Sequence, residues 1–210
     1  MANTGAKLPT AAATASEAPY SGIAWTNPGN LFSDNGVAAS IVAPQFDTGI
    51  QGGVLKAYTF DMSTVPAGAT IDGVVCTINA WCATANAGSL NMLMLTNTAL
   101  ARVGDNQCAT AVVLTATTTT VITKGSSTDV WGNVLTAAWV KHANFGLGLS
   151  VIANADNCDV MVDYVDLTVY YTPGAGWANI AKVSGVAASA IAKVNGAATS
   201  TIAKVYGVAV

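Results

Sequence analysis

The last 31 residues constrain this chain more than any other feature. Ile180-Ala-Lys-Val-Ser-Gly-Val-Ala-Ala-Ser-Ala is followed by Ile191-Ala-Lys-Val-Asn-Gly-Ala-Ala-Thr-Ser-Thr, and Ile202-Ala-Lys-Val-Tyr-Gly-Val-Ala-Val runs to Val210. The copies start 11 residues apart each time, and such internal identity marks a repeat architecture. Each unit reads as strand, two-residue turn, strand, with Ser184-Gly185, Asn195-Gly196 and Tyr206-Gly207 at the turns. Asn-Gly is favoured in a type I′ hairpin because both central residues need positive φ. Eleven residues is also the period of a right-handed coiled coil. A glycine in every unit would cost a helix about 1 kcal/mol each, and the adjacent valines add to that. The β-arm reading is therefore preferred.

A tract of this length cannot bury a core alone. It must lie on another chain, or on copies of itself around a three-fold axis. Ile180, Lys182, Val183, Gly185, Ile191, Lys193, Val194, Gly196, Ile202, Lys204, Val205 and Gly207 are the candidate assembly residues. Trp177, just before them, is expected to anchor the tail against a domain or neighbour. The three lysines recur at one position per repeat, where they would keep an edge solvated and block open-ended pairing. The alternative is that they meet an acidic partner.

The remaining chain divides by composition. Residues 1–19 are Ala/Thr-rich and read as an extended N-terminal arm, disordered or laid along a neighbour. Residues 20–172 read as an all-β domain, 173–179 as a linker, and 180–210 as the repeats. Within the domain, short runs rich in Val, Ile, Thr and aromatics alternate with Gly, Pro, Asn and Asp clusters. Strands are predicted over Val54–Phe60, Ile71–Cys82, Leu90–Thr96, Ala111–Thr115, Thr119–Thr123, Phe145–Ala153 and Val160–Thr172. Strict alternation puts Val54, Lys56, Tyr58 and Phe60 on one face of the first, and Leu55, Ala57 and Thr59 on the other. One helical stretch is expected at Asn133–Val140, capped by Asn133. Strands this many and this short predict a jelly-roll-like β-sandwich.

Composition narrows function. Only 9% of residues are charged, against an ordinary share of about 25%. With 52% apolar residues, this points to surface covered by other subunits, or else to one built from Thr, Asn, Ser and Gly. The net charge is −3 and no basic cluster occurs, so nucleic-acid binding is set aside. No apolar signal segment opens the chain, and the uncharged stretch 73–101 carries Thr77, Asn79, Thr84, Asn86, Ser89 and Asn91, which a membrane span would not tolerate.

Catalytic and metal chemistry find little footing. His142 is the sole histidine, so a triad is implausible and no enzyme activity is expected. Cys76 and Cys82 lie ~20 Å apart along one strand and cannot bond to each other. Buried free thiols in a reducing cytosol are expected, with a Cys108–Cys158 bridge left open. Asp156, Asn157, Asp159, Asp163 and Asp166 form the densest acidic region, but Asp163 and Asp166 should face opposite sides of one strand. Trp25, Trp81, Trp131, Trp139 and Trp177 could stack sugars; in a small sandwich they more often pack in the core. No cofactor is expected.

Several segments resemble tailed-bacteriophage virion proteins. The stretch from Trp25 through Asn27-Pro28, Asn30 and Ser33-Asp34 to Ala38 is similar to an opening segment common among them. Val65-Pro66-Ala-Gly68-Ala-Thr70-Ile71-Asp72-Gly73-Val74, Asn144-Phe145-Gly146-Leu147 and Val162–Tyr171 resemble a loop entering a strand and the closing strands. The Ile-Ala-Lys-Val-x-Gly tail is similar to C-termini of phage structural proteins. The resemblance implies a virion component assembled in the host cytoplasm, and it does not imply a catalytic site. The expected role is a capsid decoration or head-fibre protein, acting as a homotrimer on the major capsid protein or other virion proteins. A tail or baseplate fibre, or a carbohydrate-binding module, is the alternative.

Overall fold

A computed structural model describes residues 1–19, 22–42, 47–82, 89–109, 112–114, 119–157 and 159–174, together with six two-residue strands of the tail. Its strands are β1 (Ala2–Asn3), β2 (Pro9–Ala15), β3 (Ala39–Ile41), β4 (Val54–Phe60), β5 (Thr70–Cys82), β6 (Ser89–Leu95), β7 (Arg102–Val103), β8 (Val112–Val113), β9 (Thr120–Ser126), β10 (Gly146–Ile152) and β11 (Val160–Thr172). They form two antiparallel sheets. The first runs β1-β11-β5-β9, with β3 also on β11; the second runs β2-β4-β10-β6-β7, with β8 also on β6. Chain order alternates between the sheets, with β3, β5, β9 and β11 in one and β4, β6, β7, β8 and β10 in the other. This is the double Greek key of a jelly roll.

The sheets enclose one apolar core. β5 supplies Val74, Cys76, Ile78 and Ala80. Leu90, Met92 and Met94 come from β6, and Leu147, Leu149 and Val151 from β10. Val160, Val162, Val165, Leu167 and Val169 come from β11. β6 sits between β10 and the short β7 and β8, which accounts for its apolar sequence. Burial of this kind is worth roughly 25 cal/mol per Å2 of apolar surface. It is the main term holding the sheets together.

The strand expectations hold in kind, with local departures. In β4 the alternation stops at Thr59, which takes φ +62°. Beyond it Phe60 turns back to the core beside Leu55 and Ala57, while Val54 and Lys56 stay on the other face. Thr59 is fixed there by donating its hydroxyl to the Ala143 carbonyl at 2.7 Å and by accepting from the Thr10 hydroxyl at 2.9 Å. The helix is a single turn, α1 (Ala137–Val140), capped by Thr136 rather than Asn133. The Thr136 hydroxyl accepts from the Trp139 N–H at 3.1 Å, whereas Asn133 is buried and donates its amide to the Trp131 carbonyl at 2.8 Å. The expected strand at Ala111–Thr115 is described only as Val112–Val113.

The N-terminal segment is extended, and what it lies along is the domain itself. β1 pairs with Tyr170 and Tyr171 of β11, and Lys7 bridges to Leu167. β2 then crosses to the other sheet and pairs with β4 from Pro9↔Phe60 to Ala15↔Val54. Alanine is a weak strand former, so backbone pairing rather than side-chain pattern makes this strand.

Candidate assembly site

The tail contains three hairpins in one register. β12 (Lys182–Val183) pairs with β13 (Val186–Ala187), β14 (Lys193–Val194) with β15 (Ala197–Ala198), and β16 (Lys204–Val205) with β17 (Val208–Ala209). Lys182, Lys193 and Lys204 stand opposite Ala187, Ala198 and Ala209; Val183, Val194 and Val205 stand opposite Val186, Ala197 and Val208. Six of the candidate assembly residues thus fall on paired backbone. Ile180, Gly185, Ile191, Gly196, Ile202, Gly207 and Trp177 lie outside the described residues. Among the described residues each hairpin is a separate two-stranded sheet, joined neither to its neighbours nor to the sandwich. An isolated two-stranded hairpin is at best marginally stable in water.

The sandwich carries a second ordered feature, missed in the sequence. On the outer face of the β2-β4-β10-β6-β7 sheet, Lys56 and Arg102 converge on Glu17, which follows β2. Arg102 Nε lies 3.2 Å from Glu17 Oε2, and the Lys56 ammonium contacts the other oxygen. Lys56 also donates to the Leu100 carbonyl at 2.7 Å, and Arg102 to the Ser150 hydroxyl at 3.1 Å. Arg102 reaches across β6 to β10, where its stem lies on Gly148; a Cβ there would come within 2.9 Å of the arginine Cγ. Both cations keep only 9% side-chain exposure, and the single Glu17 carboxylate between them offsets part of their charge.

Burial alone would raise the Glu17 pKa, but hydrogen bonds and charge from Lys56, then from Arg102, outweigh it and hold the carboxyl below its ordinary value. The resulting stability is present above the pKa of an unfolded glutamate and fades as pH falls through the lower folded value. Breaking a fully buried pair on one side costs about 3–5 kcal/mol. Glu17 retains 23% exposure, so Glu17→Gln is expected to cost about 1–2 kcal/mol at pH 7. Urea midpoints at pH 7 and pH 3 check this: the gap between wild type and variant should shrink at the lower pH.

The acidic region departs from strict alternation. A register shift between Val162 and Tyr164 makes Asp163 the extra residue of a β-bulge, so Asp163 and Asp166 do not sit on opposite faces as predicted. Asp163 accepts the Gly36 N–H at 2.9 Å and the Asn35 N–H at 3.5 Å, pinning a loop whose Asp34 accepts from Asn79 at 3.1 Å. Asp166 accepts the Tyr164 hydroxyl. Asp156 accepts both the N–H and the hydroxyl of Thr48, and the Asn157 N–H goes to Asp47. No group of three His, Cys, Asp or Glu among the described residues is placed to hold a metal ion.

Burial raises the Asp166 pKa, and the Tyr164 hydrogen bond offsets only part of that. A raised carboxyl has the opposite sign to Glu17: its charge costs stability at neutral pH, and the cost fades as pH falls through the folded value. Asp166→Asn keeps an oxygen for Tyr164 and removes the charge. It should raise stability at pH 7 by up to about 1 kcal/mol, with the gain vanishing in acid when followed by thermal melting across pH.

The other candidates are placed as follows. Trp25 and Trp131 are buried, Trp81 is half-buried on β5, and Trp139 is half-buried with its indole N–H on the Leu95 carbonyl of the other sheet. The described tryptophans therefore form no continuous platform. His142 is exposed, and its Nδ1 accepts the Asn144 N–H at 3.0 Å. Cys76 and Cys108 are buried free thiols. Burial pushes the Cys76 thiol well up, and the Cys108 thiol up to about 11, so neither is a reactive thiolate. Cys158, the other half of the bridge left open, lies outside the described residues.

Fold and site together define a jelly-roll β-sandwich that carries a β-hairpin repeat tail. No family model matches the chain, and no curated protein matches it. Among solved structures it is similar to one described as "CBM4 structure and function", with 16% identity and a TM-score of 0.38 over 62% of this chain and 82% of that one. It is also similar to the CBM22-1 xylan-binding domain of Paenibacillus barcinonensis Xyn10C, with 12% identity and a TM-score of 0.32 over 77% of this chain and 94% of that one. An arabinose-bound MgGH51 α-L-arabinofuranosidase matches with 12% identity and a TM-score of 0.32 over 78% of this chain and 26% of its own.

Proposed function

We propose that this protein is a structural subunit of a larger particle, with the sandwich as its body and residues 180–210 as its docking element. The observation that carries the reading is the tail itself. Three hairpins repeat in one register, and among the described residues none is hydrogen-bonded to another sheet. Strands so short stabilise themselves poorly, so strand addition to a partner would complete them. A three-fold assembly of identical chains, each contributing its tail, fits that need.

The particle we propose is a tailed-phage virion, and the role is a trimeric head-decoration or head-fibre protein bound to the shell. Support comes from the resemblance of Trp25–Ala38, Val65–Val74, Asn144–Leu147, Val162–Tyr171 and the repeats to phage structural proteins. No chemistry is required of the protein; apolar burial and strand addition across subunits would stabilise the shell. Copy number in purified particles, by quantitative mass spectrometry, is the test. Hundreds of copies per particle are expected. A handful would move the protein to the tail or baseplate, and absence from particles would overturn the virion role. Glycan retention by the isolated sandwich would instead favour a carbohydrate-binding module.

A further inference from the structure

The N-terminal strands stand apart from the fold they complete. β3 to β11 already make both halves of the jelly roll: β3-β11-β5-β9 in one sheet, and β4-β10-β6 with β7 and β8 in the other. β1 and β2 are additions. β1 sits beside β11 in one sheet and β2 beside β4 in the other, so residues 1–17 bind both sheets along their margins. The side chains of β2 bring little to that attachment. Its sequence is Pro-Thr-Ala-Ala-Ala-Thr-Ala; Pro9 is buried, Ala12 packs on the core, and the rest are half-buried or exposed. Backbone pairing does most of the holding, together with the ion cluster in which Glu17 meets Lys56 and Arg102. Contacts of this kind depend on a strand edge and a charge, and not on which chain supplies the strap.

We propose that residues 1–17 are an exchangeable strap that, in the assembled protein, is donated to the β4 edge of a second copy of this chain, where Glu17 seats between that copy's Lys56 and Arg102. A strand swapped between identical chains makes the same contacts as the closed form, so exchange costs little beyond the path of the connecting chain. Exchange is then governed by how close the copies are held. It rests on the assembly reading in that respect, because the tail is what gathers the copies. Within the assembly, strap exchange converts a docked trimer into an interlocked one, tying each body to its neighbour independently of the tail's own contacts.

A cross-link at the strap decides between exchange and closure. Ala12 of β2 pairs with Ala57 of β4, and antiparallel partners have Cα atoms about 4.5–5.5 Å apart, within reach of a disulfide. The full-length chain carrying Ala12→Cys and Ala57→Cys is oxidised with oxidised glutathione while oligomeric, then run on a denaturing gel without reductant, with the single variants as controls. Ala15→Cys with Val54→Cys, the next suitable pair in the same register, serves if the first pair disturbs the core. Most chains should run as covalent dimers or larger, collapsing to single chains on reduction. The same pair in a chain lacking residues 174–210 should link within one chain. An oligomer whose chains are all internally linked overturns the exchange and leaves the tail reading standing. A full-length protein that is monomeric and internally linked overturns both.

Discussion

Trp131→Ala should destabilise the sandwich by about 3–5 kcal/mol, the range for removing a large buried aromatic. For a domain of this size that lowers the melting temperature by roughly 10 °C or more. Trp131 has no exposed surface and is among the largest fully buried side chains. Its indole N–H donates to the Val74 carbonyl of β5 at 3.0 Å. Its own backbone carbonyl accepts from Asp105 and from the Asn133 side chain, both at 2.8 Å, and its N–H donates to Asp129 at 2.7 Å. One residue thus ties β5, the end of β9 and the 104–105 loop together. The packing is close enough to dictate a neighbour: Gly125 has φ +81°, and a Cβ there would lie 2.1 Å from the Val74 carbonyl oxygen and 2.6 Å from the Trp131 indole nitrogen. Trp131→Phe separates the ring from the hydrogen bond, and should retain more of the stability than alanine does. Urea denaturation measures both. A loss under about 1 kcal/mol for alanine would mean that the ring is not the keystone described.

The parts of this fold that are legible in the sequence follow a local rule. β5 and β11 announce themselves because one sheet face is more deeply buried than the other, which imposes alternation on Val74 to Ala80 and on Val165 to Val169. The hairpin tail is legible because the glycine recurs at one place in every unit. The remainder is settled by contacts that no local pattern encodes. β2 is a strand because β4 offers it an edge, although its alanines carry no strand signal. The bulge at Asp163 shifts the alternation by one residue without any marker in Val162-Asp163-Tyr164. Positive φ at Thr59 is held by the distant Ala143 and Thr10. Thr136 takes the cap because the helix begins only at Ala137, four residues after Asn133, whose amide is turned to the Trp131 carbonyl. The Glu17 cluster is the clearest case: Arg102 and Glu17 are 85 positions apart and meet only once β2, β4, β10, β6 and β7 have assembled into one sheet.

Removing residues 174–210 has the largest effect expected on behaviour rather than stability. The deletion leaves β1 to β11, the core and the Glu17 cluster in place, so the melting temperature of the sandwich should stay within a few degrees of the full-length value. What it removes is the only element whose described strands all lack a partner beyond their own hairpin. The replacement Lys182→Glu, Lys193→Glu and Lys204→Glu in the full-length chain separates the two roles of the lysines: assembly should weaken where they meet an acidic partner and stay unchanged where they only keep an edge solvated. The decisive measurement is the mass of the full-length and truncated proteins by light scattering at matched concentrations, together with their incorporation into particles. The expected result is a full-length oligomer in multiples of the 21.1 kDa chain, and a truncated protein that is monomeric and absent from particles. A truncated protein that keeps the full-length oligomeric state and enters particles at the full-length level would contradict it.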